Sequence, residues 1–154
     1  MQPVYENFIM RNATLLGPAG PATTPLPLFA ARVPAGFPSP AQDHMEQFIS
    51  LDELLDIQAP HTYLVRVSGD SMQEAGIFDG DLLVVSRGVS ARSGDVVVAC
   101  INGEVFVKRF CRDGLQIILR AENPRYAPKY ILEGDELQVW GVVTHSIHGH
   151  RPHA

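Results

Sequence analysis

Two side chains in this sequence, Ser71 and Lys108, sit in settings where acyl-transfer chemistry is open to them. Ser71 lies in Ser68-Gly69-Asp70-Ser71-Met72, directly after the apolar run Tyr63 to Val67. A serine on a tight turn at a strand end presents its hydroxyl, and adjoining backbone amides can converge on a carbonyl oxygen. Lys108 lies in Glu104-Val105-Phe106-Val107-Lys108-Arg109-Phe110, where alternation puts it on one face with Phe106 and Phe110. If that face is core, the ammonium loses water. Burial disfavours the charged form, so the amine moves toward the range of a usable general base. Each residue also has an ordinary reading. A strand lysine can snorkel past its aromatic neighbours into water, and Ser71-Met72-Gln73-Glu74 fits a capping box in which the serine only starts a helical turn. The two positions alone leave both readings open.

The elements that must hold these residues are short strands. Tyr63 to Val67, Leu82 to Ser86, Asp95 to Ile101, Glu104 to Cys111, Leu115 to Arg120 and Leu137 to Ile147 are β-branched or alternating runs separated by turn chemistry. They predict an all-β domain. Asn102-Gly103 between two such runs demands a two-residue turn with positive φ at both central positions. That turn sets Val97 opposite Lys108 and Cys100 opposite Val105. Ser50-Leu51-Asp52-Glu53 has the form of a helix start, with Leu51, Leu54 and Leu55 as the apolar stripe of a short helix ending before Pro60. Residues 17 to 40 are dense in proline and glycine and predict an extended segment. Its Leu26, Leu28, Phe29, Val33 and Phe37 suit it to docking in a groove.

The sequence has 154 residues, enough for one domain with a real core. A hydrophobic share of 45% with 19% charged residues excludes a disordered chain. The formal net charge is −5, and the basic residues are scattered. Tight, direct binding to DNA phosphates needs a concentrated basic surface, so any link to nucleic acid is expected to run through another protein. With no signal-like N-terminus and no apolar run of roughly 18 residues, a cytoplasmic protein without a membrane span is expected. Cys100 and Cys111 do not face each other in the hairpin register, which predicts free thiols. No cofactor is expected. His145, His148, His150 and His153 read as a solvated terminus, so no metal site is expected either.

Four blocks then act together: Val67-Ser68-Gly69-Asp70-Ser71-Met72, Gly76-Ile77-Phe78-Asp79-Gly80-Asp81-Leu82-Leu83-Val84-Val85, Gly94-Asp95-Val96-Val97-Val98-Ala99 and Gly103-Glu104-Val105-Phe106-Val107-Lys108. In order and in the 37-position spacing of serine to lysine, they resemble the self-cleaving serine–lysine peptidase family of UmuD and LexA. The resemblance implies the peptidase β-fold of that family, with Ser71 as nucleophile and Lys108 as general base. It also implies an oxyanion hole from backbone amides near Asp70 and Ser71. Val33-Pro34-Ala35-Gly36-Phe37-Pro38-Ser39-Pro40-Ala41 resembles the family's self-cleavage region, which implies Ala35-Gly36 as the bond cut. Small residues let a bare backbone approach the serine closely, and the flanking prolines keep the segment extended.

The expected organisation is an extended arm over residues 1–48 carrying the cleavage site, a peptidase β-domain over 49–148 and a flexible tail over 149–154. What the resemblance implies of function is an SOS-response protein acting in DNA repair and mutagenesis. Its latent cleavage is promoted by a RecA–single-stranded DNA filament. The shortened homodimer joins a UmuC-type error-prone polymerase subunit in translesion synthesis. An alternative from another class is a catalytically silent regulatory subunit of such a polymerase. A signal-peptidase-like enzyme would need a membrane anchor, and a phage-type repressor would need a DNA-binding domain that the Pro-rich arm does not resemble.

Overall fold

A computed structural model of the chain describes residues 9–17, 25–29, 45–57 and 59–151. Its main body is a nine-stranded sheet, antiparallel apart from one short parallel pairing. Along the chain the strands are β1 (Ile9–Met10), β2 (Ala13–Gly17), β3 (Pro25–Phe29), β4 (Met45–Ser50), β5 (Thr62–Val67), β6 (Leu82–Ser86), β7 (Val96–Ile101), β8 (Glu104–Asp113), β9 (Gln116–Arg120), β10 (Lys129–Tyr130) and β11 (Leu137–Ile147), with α1 at Leu51–Leu55. The sheet order is β10-β9-β8-β7-β11-β6-β5-β2, and β1 lies against β8 in parallel. β3 and β4 form a separate antiparallel ribbon. The fold is all-β, as expected.

The Asn102-Gly103 turn behaves as its chemistry requires, with φ of 51° and 84° at the two positions. It sets the β7–β8 register with Val97 opposite Lys108 and Cys100 opposite Val105, as expected. Both cysteines are free. Because neighbouring side chains in a strand point to opposite faces, β7 and β8 supply two cores at once. Val98, Cys100, Val105 and Val107 join Val65, Val67, Leu83, Val85, Met72 and Ile77 in one cluster. Val97, Ala99, Ile101 and Phe110 join Leu119 and Val142 in the other, with Phe106 packed against it. The central strand β11 pairs with both β7 and β6, and its register shifts between Val139 and Gly141 and again between Val143 and His145. Such bulges bend a strand and increase its twist.

Several elements differ from expectation. The helix starts as predicted, with the Ser50 hydroxyl accepting from the Glu53 N–H at 3.1 Å. Its leucine stripe does not pack: Leu51 and Leu54 are about half exposed, while Asp52 is buried. The left-handed residue Asp56 (φ 54°) ends the helix after five residues, too short a run to build a stripe facing a core. The segment read as an arm contributes strands: β1 and β2 join the main sheet, and β3 with its Pro25 and Pro27 pairs in the two-stranded ribbon, where a missing amide donor is tolerated. His148, expected in a solvated terminus, is tied to the buried carboxylate of Asp81. No helix among the described residues is long and apolar enough to cross a membrane.

Candidate functional site

Ser71 follows β5, in the turn that the alternative reading made a helix cap. It does not cap. The 3-10 turn Gln73–Ala75 has Met72 at its N-terminal flank with no side-chain capping bond, and the Glu74 N–H goes instead to the Glu122 carbonyl at 2.9 Å. Ser71 is 6% exposed and its hydroxyl accepts a hydrogen bond from Asn12 Nδ2 at 3.1 Å. Met72 beside it is 1% exposed in the first core cluster, which fixes the serine's main chain from one side. From the other side, the Ser71 carbonyl accepts from the Glu122 N–H at 2.8 Å.

Lys108 projects from β8 on the face of Phe106 and Phe110. Its ammonium lies 5.6 Å from the Phe106 ring centre and 5.8 Å from that of Tyr126. Burial pushes its pKa below the usual lysine value. Among the described residues no carboxylate forms an ion pair with it; the acidic partners go to Arg11, Arg109, Arg125, Lys129 and His148. A groove of about 300 Å³, lined by Ile101, Phe106, Lys108, Ala127 and Lys129 among others, opens on this face.

Two side chains link the serine loop to the lysine strand. Tyr126, whose ring flanks the Lys108 ammonium, donates its hydroxyl to Asp70 Oδ1 at 2.6 Å. That bond, followed after some opposing desolvation by the charge of Arg125, holds the Asp70 carboxyl below the usual range. The same bond pushes the Tyr126 hydroxyl up. Asn123 Nδ2 donates to the Asp70 carbonyl at 3.0 Å, so the residue before Ser71 is held at both its main chain and its side chain. The second link is Asn12, which meets Ser71 and also pairs with the main chain of Val107, the residue before Lys108.

Asn12, Tyr126, Asn123 and Arg125 were not legible as site residues. Their contacts to the Ser71 loop or to β8 span at least 53 residues of sequence, and no local pattern marks them. Ala35 and Gly36 fall outside the described residues; they lie in the stretch 30–44 between the paired strands β3 and β4. No cluster of potential metal ligands occurs among the described residues.

The Peptidase S24-like family profile matches residues 27–144, which takes in both Ser71 and Lys108. The protein MucA of Salmonella typhimurium is 40% identical over 127 residues, covering 81% of this chain and 86% of MucA. SamA of the same species is 42% identical over 128 residues, 83% of this chain and 89% of SamA. The LexA repressor of Bordetella avium is 42% identical over 128 residues, but there the match spans only 59% of the repressor. With a family match over most of its length and relatives of its own size at two-fifths identity, this chain belongs to the Peptidase S24-like family, among its UmuD- and LexA-type members.

Proposed function

We propose that the chain is a self-cleaving serine peptidase of the SOS response that cuts its own Ala35-Gly36 bond with Ser71 as nucleophile and Lys108 as base. The observation that carries this reading is the setting of Lys108: an amine packed between two aromatic rings, without a carboxylate partner among the described residues, whose charged form is disfavoured by burial. A lysine kept for solubility or for an ion pair would have its ammonium in water or on an acid. The family match and the short links from Asp70 and Val107 to this neighbourhood add support.

In the proposed reaction the neutral Lys108 amine takes the Ser71 hydroxyl proton as Oγ attacks the Ala35 carbonyl carbon. The carbonyl electron pair moves to its oxygen, where backbone N–H groups at Asp70 and Ser71 donate to the developing negative charge. Collapse breaks the Ala35–Gly36 C–N bond, and the Lys108 ammonium returns its proton to the departing Gly36 nitrogen. A water then attacks the carbonyl carbon of the Ser71 ester, giving a proton to Lys108; collapse breaks the ester C–O bond, the Lys108 ammonium returns that proton to Ser71 Oγ, and residues 1–35 leave with a free carboxylate. No third acidic group is required, because a neutral amine needs no orienting carboxylate to act as base.

The shortened product is proposed to be the homodimeric accessory subunit of a UmuC-type error-prone polymerase. Cleavage switches it on, and a RecA filament on single-stranded DNA promotes cleavage. The supporting fact is the similarity to MucA and SamA over most of each chain. The test is the intact mass of the purified protein and of Ser71→Ala and Lys108→Ala variants, incubated from neutral pH to about 10. A fragment beginning at Gly36, growing with pH and absent from both variants, is expected. No fragment, even with the RecA filament added, would leave the family assignment standing and favour a regulatory subunit without peptidase activity.

A further inference from the structure

β8 has one main-chain position left to fill beside the candidate site, and the structure fills it with a side chain. Strand residues alternate in the direction of their N–H and C=O groups, so Val105, Val107 and Arg109 all point away from β7. Arg109 onward pairs with β9. At the other end, the Ile9 N–H donates to the Gly103 carbonyl at 3.0 Å and the Arg11 N–H to the Val105 carbonyl at 3.1 Å. Val107 lies between these two partners. Its N–H donates to Asn12 Oδ1 at 2.7 Å and its C=O accepts from Asn12 Nδ2 at 3.0 Å. A primary carboxamide presents a C=O and an N–H side by side, and here it makes the two bonds that a neighbouring strand would make from two successive peptide groups. The same Nδ2 lies 3.1 Å from Ser71 Oγ.

We infer that the Val107 edge is the docking position for an extended peptide amide presented to Ser71, and that Asn12 occupies it at rest as a pseudo-substrate plug. The inference rests on Ser71 being the nucleophile. A peptide that pairs with Val107 needs both atoms Asn12 now holds, and its amide would meet the serine hydroxyl where the carboxamide nitrogen does. Residues on either side anchor the plug. Arg11 Nε donates to Glu104 Oε1 at 2.9 Å, the Ser68 N–H donates to the Asn12 carbonyl at 3.0 Å, and Ala13 is 2% exposed in the first core cluster as β2 begins its pairing with β5. Asn12 lies N-terminal to residue 35. Cleavage at Ala35-Gly36 would thus cut the covalent connection between the plug and the domain it closes.

The experiment compares N12A, and R11A as a milder loosening of the anchor, with the unaltered protein in two assays. The first is the rate of appearance of the fragment starting at Gly36. The second does not depend on peptidase activity: in an S71C background, the rate of iodoacetamide alkylation at position 71 is followed by peptide mapping. Losing the carboxamide's bonds should speed both by about tenfold, with R11A in the same direction and smaller. Unchanged alkylation in N12A would overturn the plug. Faster alkylation with unchanged or slower cleavage would overturn it as well, because Asn12 would then orient the serine instead of competing for its site. If neither protein yields a Ser71-dependent fragment, the peptidase reading fails, and the alkylation rates still decide whether Asn12 closes the site.

Discussion

Replacing Lys108 by Met should stabilise the protein while it abolishes cleavage. Methionine keeps the length of the stem and removes the ammonium. Two terms oppose each other. The rings of Phe106 and Tyr126 lie 5.6 Å and 5.8 Å from the ammonium, close to the limit of about 6 Å for a cation–π contact, so the two together contribute about 1 kcal/mol at most. Against this stands desolvation, which lowers the Lys108 pKa. Apolar replacement of buried ion pairs ranges from neutral to a gain of roughly 4 kcal/mol, and relieving a single half-buried amine is taken as about 2 kcal/mol on that scale. The balance is a gain of about 1 kcal/mol, or about 2–4 °C in Tm. Urea unfolding of Ser71→Ala and of Ser71→Ala/Lys108→Met measures it on chains that cannot cut themselves. Lys129→Met in the same background is the control: that lysine is 47% exposed and 3.6 Å from Asp135, and its replacement should change stability by no more than about 0.5 kcal/mol. A Lys108→Met variant less stable by about 1 kcal/mol or more would refute the desolvation argument, because Lys108 would then hold the fold together as an ordinary charged residue.

The pH dependence has a definite sign. With its folded pKa below the ordinary 10.5, Lys108 holds fewer protons in the native than in the unfolded chain between those two values. Stability of the unaltered protein relative to Lys108→Met should therefore rise with pH through that window. The cleavage rate should climb about tenfold per pH unit and flatten below 10.5, where the amine is already neutral; a climb that continues past 10.5 would argue for hydroxide instead of Lys108. Tyr126→Phe keeps the ring against Lys108 but removes one of the bonds that hold Asp70, so cleavage should slow several-fold without moving the pH at which the rate flattens. The Asp70 carboxyl is lowered in the folded state, so its contribution is present above the ordinary 3.8 and lost as pH falls through the folded value. Tyr126→Phe should accordingly raise the pH of acid unfolding. Gly141→Ala would place a Cβ 2.7 Å from Val85 Cγ1 and 2.9 Å from the Ser86 carbonyl oxygen at the β11 bulge. It should destabilise by about 2 kcal/mol, seen as a lower urea midpoint.

What could be read from the sequence was local. Leu82–Ser86 and Leu137–Ile147 are found at their expected bounds because alternation and the flanking turn residues act within a few positions. The β7–β8 register follows from two turn residues whose backbone angles admit few alternatives. The helix over Leu51–Leu55 was legible in its cap and not in its packing, since whether a leucine is covered depends on distant chain. β1 and β2 escaped notice for a related reason. Ile9–Met10 and Ala13–Gly17 are short edge pieces whose partners are β8 and β5, and nothing between residues 9 and 17 announces either partner. Asp81 is an aspartate in a run of turn residues; its carboxylate, 1% exposed, accepts from the nearby Phe78 N–H at 2.8 Å and pairs with His148, and the second partner, 67 positions away, has no local mark.

The division of labour on β8 shows why the Asn102-Gly103 turn matters to the candidate site. Val105 and Val107 are almost wholly enclosed in the first cluster, while Phe106, Lys108 and Phe110 face the second. Period-2 geometry makes these assignments inseparable, because a slip of one residue against β7 exchanges the faces of the whole strand. Lys108 would then enter the cluster of Val65, Val67, Leu83 and Val85, each 2% exposed or less, where an ammonium loses its water. Phe106 and Phe110 would follow it into space now filled by valines. The slipped register is thus penalised at several positions at once. It would also turn the Val107 N–H and C=O toward β7 and away from Asn12. Hydrophobic patterning that looks like ordinary core specification therefore has a second effect here. It leaves one lysine half out of water, and on the same strand it turns one peptide edge toward Asn12, whose carboxamide also meets the serine.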